Sequence, residues 1–162
     1  MLKKLLGIAP GLESDNSYSP SKLALKLATV DKTDFDETRY TQYRGKRSKV
    51  LVICTEQKNM MMQNGKLFST GNHPVETLVP MLHLKNAGYD FEIATPTGKP
   101  VVFETWAFPG KDEQIKSLHD KYASSFSQPK NLQVLAGEIL PDPECYAAVL
   151  ITGGHGAMMG IP

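Results

Sequence analysis

Two short, uninterrupted apolar runs limit the folds open to this chain: KVLVIC at residues 49–54 and AAVLI at residues 147–151. Both are rich in β-branched residues, and continuous apolar runs of this length are typical of strands buried on both faces. A third strand pattern, YDFEIATP, lies between them at residues 89–96. Because these strands alternate with helical segments, the sequence predicts an α/β fold with a mostly parallel sheet.

The segments between the strands have the apolar spacing of helices. In PVETLVPMLHLKNAG, Pro74 suits the first helical position, Pro80 is expected to kink the helix, and Gly88 suits its end. The polar stretch between the first strand and this helix is expected to be a long loop. The sequence further predicts two helices and one short strand: helices at residues 112–126 and 131–139, and a strand at residues 99–104.

The chain divides into two regions by composition. Residues 1–47 are polar and rich in turn formers, which predicts an N-terminal arm that packs on the body, or alternatively a flexible tail. Residues 48–162 carry the α/β pattern. A strand as apolar as residues 147–151 is expected in the middle of a sheet, so we expect either the N-terminal half of a larger domain or an edge completed by another chain. Residues 1–162 alone are then expected to be molten, aggregated or bound to a partner.

Composition excludes several classes of protein. Eighteen Lys and Arg against seventeen Asp and Glu leave a formal charge of +1, so no overall positive field favours nucleic acid or an anionic membrane. No apolar run approaches the roughly 20 residues that a bilayer span needs. Two cysteines exclude a disulfide scaffold and a four-cysteine zinc site. The expected compartment is the cytoplasm, where thiols stay reduced.

Two motifs lie where ligands bind in α/β folds. TGGHG follows the last apolar strand, and its consecutive glycines predict either backbone N–H donors for an oxyanion or only a tight turn. The glycine spacing fits neither a dinucleotide-binding motif nor a P-loop. STGNHPVE opens the first helix and places Glu76 in its first turn, as a capping carboxylate or as a general acid/base.

The position of each histidine and cysteine in the chain indicates whether it could take part in chemistry. His73 and His155 lie in the two glycine-containing turns, whereas the other two histidines are expected to be packing or surface residues. No HxxxH or HExxH spacing indicates zinc. The residues expected to have no role in chemistry are His83, His119, Cys54 and Cys145.

Six segments in this order resemble one known family: DNSYSPSKLALKLAT, YRGKRSKVLVI, NGKLFSTGNHPVETLVPM, WAFPGKDE, QPKNL and GGHGAMMGIP. They are similar to HchA-type proteins, heat-shock chaperones that also act as glutathione-independent glyoxalases within the ThiJ/PfpI superfamily. The resemblance implies a flavodoxin-like α/β sandwich, an added region built partly from the N-terminal arm, and a homodimer. It also implies protein deglycase activity, no cofactor, and a 2-oxoaldehyde or a glycated protein as substrate.

The resemblance also implies roles for particular residues. The family's proton-transferring glutamate matches Glu76, and its oxyanion-binding turn matches Gly153 and Gly154, with His155 alongside. Its nucleophilic cysteine matches no residue of this chain. The alternatives to a glyoxalase are a non-catalytic chaperone that holds unfolded proteins and an inactive truncated fragment.

Some family members bind a metal through a His/Glu/His set. The matching residues here are Lys85, Asp90 and Tyr122, of which only the aspartate keeps a ligand's chemistry. We therefore expect no metal at this position.

Overall fold

The computed structural model describes residues 2–36, 38–139 and 145–161. Met1 and Pro162, the ends of the two regions expected from composition, lie outside the described residues. The larger of two sheets has four parallel strands in the order β7-β6-β3-β8. Their bounds are β3 Lys49–Ile53, β6 Asp90–Thr95, β7 Lys130–Asn131 and β8 Ala148–Ile151.

The alternation of side chains along β3 explains why helices cover both faces of this sheet. Val50 and Val52 point into a large core on one side, whereas Leu51 packs with Ala94 and Leu135 on the other side. All three β3 side chains are almost fully buried, and burial of each stabilises the fold by about 1.5–3 kcal/mol. The sheet therefore lies between two helical layers, as the sequence predicts.

The helices begin and end close to where the sequence pattern places them. On the first face, α3 (Pro74–Asn86) packs with α4 (Glu113–Lys121) and α5 (Ala123–Ser127), and α6 (Leu132–Ile139) covers the opposite face. Pro80 lies inside α3, which continues through it. The predicted helix at residues 112–126 is divided at Tyr122 into α4 and α5.

A second, smaller sheet joins the N-terminal region to the segment that follows β3. Its order is β1-β2-β5-β4, with β2 and β5 parallel and the other pairs antiparallel. The expected long loop after the first strand thus contains a hairpin, which the sequence pattern does not show. The elements outside the larger sheet and its helical layers are α1 Leu2–Leu5, β1 Gly11–Leu12, β2 Ser17–Ser19, α2 Lys22–Ala28, β4 Asn59–Met61, β5 Leu67–Ser69 and α7 Ala157–Gly160.

One expectation about the strands was wrong. Residues 99–104 form no strand, because Val102 turns its carbonyl to Asn72 and only an isolated bridge forms at Phe103. Within the described chain β8 pairs with β3 alone, and Val149 and Ile151 are 56% and 62% exposed. This is the open edge that the sequence predicts for this chain. No described helix has both the length and the apolar character needed to cross a membrane.

Candidate functional site at the carboxyl ends of β3 and β8

The order of the strands determines where a ligand crevice forms. From β3 the chain moves to β6 on one side, and it later returns to place β8 on the other side. In doubly wound sheets, ligands bind beyond the carboxyl ends of the strands where the order reverses. Here that point lies between β3 and β8, and the TGGHG turn follows β8 directly.

Glu76 lies against this turn. The first turn of α3 carries its carboxylate to Gly153, so closely that a Cβ built on the glycine would lie 1.8 Å from Glu76 Oε2. The amide of His73 donates to the Gly153 carbonyl at 3.0 Å, which fixes the start of α3 on the turn. The structure therefore brings together two of the residues that the sequence analysis singles out, and glycine is required for their close approach.

The two glycine-containing turns interlock through their backbones. Gly156 donates its amide to the Gly71 carbonyl at 2.9 Å, and Gly154 has a φ of +118°. The amides of Gly153 and Gly154 donate to no protein acceptor among the described residues. Free, adjacent N–H groups in a rigid turn are suited to stabilise a negatively charged oxygen.

Asn72 joins the segments that build the crevice. Its side-chain amide donates to the carbonyls of Thr55 and Val102, at 2.9 and 2.6 Å. Its Oδ1 accepts from the Thr55 amide at 2.9 Å and from the Thr152 hydroxyl at 2.8 Å. Three of these four bonds are fully buried and the bond to Val102 is partly buried, and an unpaired buried amide costs about 1–3 kcal/mol. Asn72 was not singled out from the sequence. The position of Asn72 between Gly71 and His73 was the one sequence feature that could have indicated a role in the site.

Glu104 is a second residue that the sequence analysis missed. It is 1% exposed, and its Oε1 accepts from the Thr70 hydroxyl at 3.0 Å and from the His155 amide at 3.0 Å. The Nδ1 atom of His155 lies 2.7 Å from the same oxygen. The sequence feature that could have indicated Glu104 is that a single glutamate ends the apolar KPVVFE segment. No neighbouring residue in the sequence indicates its partner.

Neither cysteine lies in a position to act at this turn. Cys54 is fully buried, and burial raises the pKa of its thiol to about 12, so the thiol stays protonated at neutral pH. Cys145 precedes β8 and therefore lies at the opposite end of the sheet from Gly153. His83 and His119 are half-buried and pack against aromatic rings, Phe35 and Phe126 respectively.

The structure brings together the three residues that match the family's metal ligands. Tyr122 donates its hydroxyl to the Asp90 carboxylate, and this bond holds the pKa of Asp90 below its usual value. The nearby Lys121 ammonium lowers the pKa of Lys85. A phenol and two ammonium groups around one carboxylate do not fit a divalent cation, and the absence of a metal here stays a prediction.

The fold and the crevice define a doubly wound α/β protein with a ligand site at its topological switch point. Comparison with known proteins agrees with this class. The 24 kDa rapid encystment protein of Francisella tularensis has a similar fold, with a TM-score of 0.53 and 18% identity over 68% of this chain and 46% of that protein. No family model matches the chain.

Sequence similarity is much stronger to one group of proteins. The protein/nucleic acid deglycase HchA of Pseudomonas aeruginosa is 47% identical over 154 residues, which are 94% of this chain and 53% of that protein. The HchA deglycase of Escherichia coli K12 is 43% identical over 152 residues, 93% of this chain and 53% of that protein. These matches confirm the resemblance to HchA-type proteins and the flavodoxin-like α/β fold. The chain spans about half the length of the curated relatives it matches.

Proposed function

We propose that this chain supplies the proton-transferring carboxylate and the oxyanion-binding turn of a glutathione-independent glyoxalase and deglycase. The observation that carries the proposal is the contact of Glu76 with Gly153, beside two adjacent amides that find no acceptor in the part of the chain that the structure describes. A carboxylate and paired N–H donors in one crevice are what the rearrangement of a 2-oxoaldehyde requires. The deglycase relatives support the same assignment.

The proposed reaction begins when a thiolate adds to the aldehyde carbon of methylglyoxal and forms a hemithioacetal. Glu76 then removes the proton from that carbon and returns it to the neighbouring carbonyl carbon, while the hydroxyl proton passes to the oxygen of that carbonyl, which leaves a thioester of a 2-hydroxy acid. Water hydrolyses the thioester and releases lactate and the free thiol. The amides of Gly153 and Gly154 stabilise the negative charge that develops on oxygen in these steps.

The thiolate in this proposal comes from neither Cys54 nor Cys145. It is supplied by polypeptide outside this chain, which carries a further cysteine and completes the site beside β8. Val149 and Ile151 are exposed on that strand, and pairing with a further strand would bury them. The relatives' lengths are consistent with additional polypeptide.

The proposed substrates are a free 2-oxoaldehyde and amines or thiols glycated by it. The relatives are named as deglycases of nucleic acid as well as of protein. The formal charge of +1 does not favour binding to duplex nucleic acid, so we propose that glycated protein is the main macromolecular substrate. We place the reaction in the cytoplasm, without a cofactor, in a homodimer.

A holding chaperone is the second proposed function. Its support is the run of methionines at residues 60–62, at the end of β4 in the smaller sheet, where Met61 is 62% exposed. Such surfaces suit binding to unfolded chains, and methionine adapts to many partners. Suppression of client aggregation should then persist in a variant that lacks glyoxalase turnover.

The test of the proposed enzyme uses the native protein with methylglyoxal and without glutathione. Glu76→Gln should keep the fold and reduce lactate formation by about 100-fold or more. Glu113→Gln is the matched control, because Glu113 also lies in the first turn of a helix but is exposed and far in the fold from the crevice. If Glu76→Gln retains normal turnover, Glu76 is only a helix-capping residue.

A further inference from the structure

We propose that Glu104 is a positioning residue that fixes the tautomer of His155, so that Nε2 of the imidazole accepts a hydrogen bond from a substrate hydroxyl. The substrate hydroxyl in this proposal rests on the proposed function, whereas the assignment of the His155 tautomer does not depend on it. The two residues are 51 positions apart in sequence, and their contact joins the end of the 99–104 segment to the TGGHG turn.

The hydrogen bonds around Glu104 determine where the proton of the imidazole lies. Oε1 accepts from the Thr70 hydroxyl and from the His155 amide, so this oxygen needs its lone pairs. Within the described residues Oε2 is buried and has no hydrogen-bond partner. A proton on Oε2 would therefore have no acceptor, and a proton on Oε1 would compete with two donors.

An ionised Glu104 with an Nδ1–H donor on His155 satisfies every donor in the cluster. The 2.7 Å separation between Nδ1 and Oε1 fits such a charge-assisted bond. Oε2 then remains without a donor among the described residues. A neutral imidazole that carries its proton on Nδ1 presents a lone pair on Nε2.

The surroundings of the ring hold it in this orientation. Phe68 meets the imidazole edge-on at 5.3 Å, and Trp106 lies 6.3 Å from it between ring centroids. Trp106 is itself fixed, because its indole N–H donates to the Ser69 carbonyl at 3.0 Å. The His155 side chain remains 48% exposed, and no described residue bonds its Nε2. The free nitrogen is therefore available to a ligand in the crevice.

The chemistry of the proposed reaction supplies a partner for Nε2. Addition of a thiol to an aldehyde creates a hydroxyl on the attacked carbon, and addition of an amine does the same. His155 follows Gly154 directly in sequence, so a substrate held by the glycine amides lies beside the imidazole. We infer that the site selects carbonyl adducts that carry this hydroxyl and that Nε2 accepts its hydrogen bond.

The first test measures the tautomer of His155 in the native protein by long-range ¹H–¹⁵N spectra of its ring. The expected result is a protonated Nδ1 and an unprotonated Nε2 in the neutral imidazole. A proton on Nε2 would overturn the proposal. This measurement needs no variant and no activity, so it decides the role of Glu104 even if the protein does not consume methylglyoxal.

The second test compares variants in turnover. Glu104→Leu removes the acceptor of the Nδ1 proton and should leave the tautomer unfixed, with a loss of about 10- to 100-fold in kcat and little change in KM. The hydroxyl forms only after addition, so binding of the free aldehyde is not affected. Glu104→Gln keeps a carbonyl oxygen for the Thr70 hydroxyl, the His155 amide and Nδ1–H, so it is the matched control that should retain the native tautomer. Glu113→Gln is the surface control. A Glu104→Leu variant that keeps both the tautomer and the kcat of the native protein contradicts the proposal.

Discussion

Substitution of Gly154 by alanine should unfold the turn that carries the candidate site. The residue has a φ of +118°, which L-residues rarely adopt, and this strain costs about 1–2 kcal/mol. A Cβ would also lie 2.4 Å from the His73 nitrogen and 2.5 Å from the Gly71 oxygen. Both are backbone atoms of the opposing turn, so relief of the clash costs a further ~1–3 kcal/mol. We expect a total destabilisation of about 2–5 kcal/mol, a large part of the ~5–15 kcal/mol typical of a domain.

Gly153→Ala provides a matched comparison one residue away. The Cβ would lie 1.8 Å from Glu76 Oε2, and the other near atoms also belong to the Glu76 side chain. An exposed side chain can rotate away, so stability should change by no more than about 1 kcal/mol. The carboxylate must move, however, and we expect Gly153→Ala to lose turnover while it keeps its fold.

Urea unfolding of both variants, followed by fluorescence of the single tryptophan, measures the difference. Trp106 contacts the site through the ring of His155 and therefore reports on this region. The reasoning is refuted if Gly154→Ala is as stable as the native protein, or if the two variants are destabilised equally.

Three further predictions concern a thiol, a helix cap and the metal position. Burial raises the pKa of Cys54 to about 12 from 9.0, so the native thiol should resist alkylation that modifies the exposed Cys145. Just above pH 9 this thiol ionises only in the unfolded state. The free energy of unfolding should therefore fall as the pH rises above 9, and Cys54→Ala should remove the contribution of this thiol to that pH dependence. Asp112 accepts from the Ile115 amide at 3.1 Å and from Thr33, so Asp112→Ala should lower the free energy of unfolding by about 1–3 kcal/mol in urea titrations, and Asp112→Asn by less. Elemental analysis after dialysis should find no stoichiometric zinc, since Lys85 repels a cation; about one zinc per chain would contradict this.

The sheet and its helical layers could be predicted because their signals are local. β3 is a continuous apolar run, β6 begins with alternating polar and apolar residues, and α3 has a proline start and a regular apolar spacing. The hairpin β4–β5 was not predictable, because each strand has three residues and no clear alternation. The open edge at residues 147–151 could be predicted, because the strand is too apolar to lie uncovered, but the sequence does not show what pairs with it.

The candidate site also has residues that the sequence could predict and residues that it could not. Glu76 and Gly153 could be singled out because each lies at the end of a predicted element, and parallel topology brings such ends together. Their roles stay predictions. Asn72 and Glu104 could not be found, because their partners are contributed by segments distant in sequence, such as Thr152 and His155. Contacts of that kind depend on tertiary structure and leave no periodic pattern.

A crystal structure of the native protein with bound lactate or glyoxylate tests the central claim most directly. We expect a ligand oxygen at about 2.7–3.1 Å from the amides of Gly153 and Gly154, with the Glu76 carboxylate against the adjacent carbon. A ligand bound elsewhere, for example in the cavity between Lys49 and Lys130 at the opposite end of the sheet, with the glycine turn empty, would contradict the account.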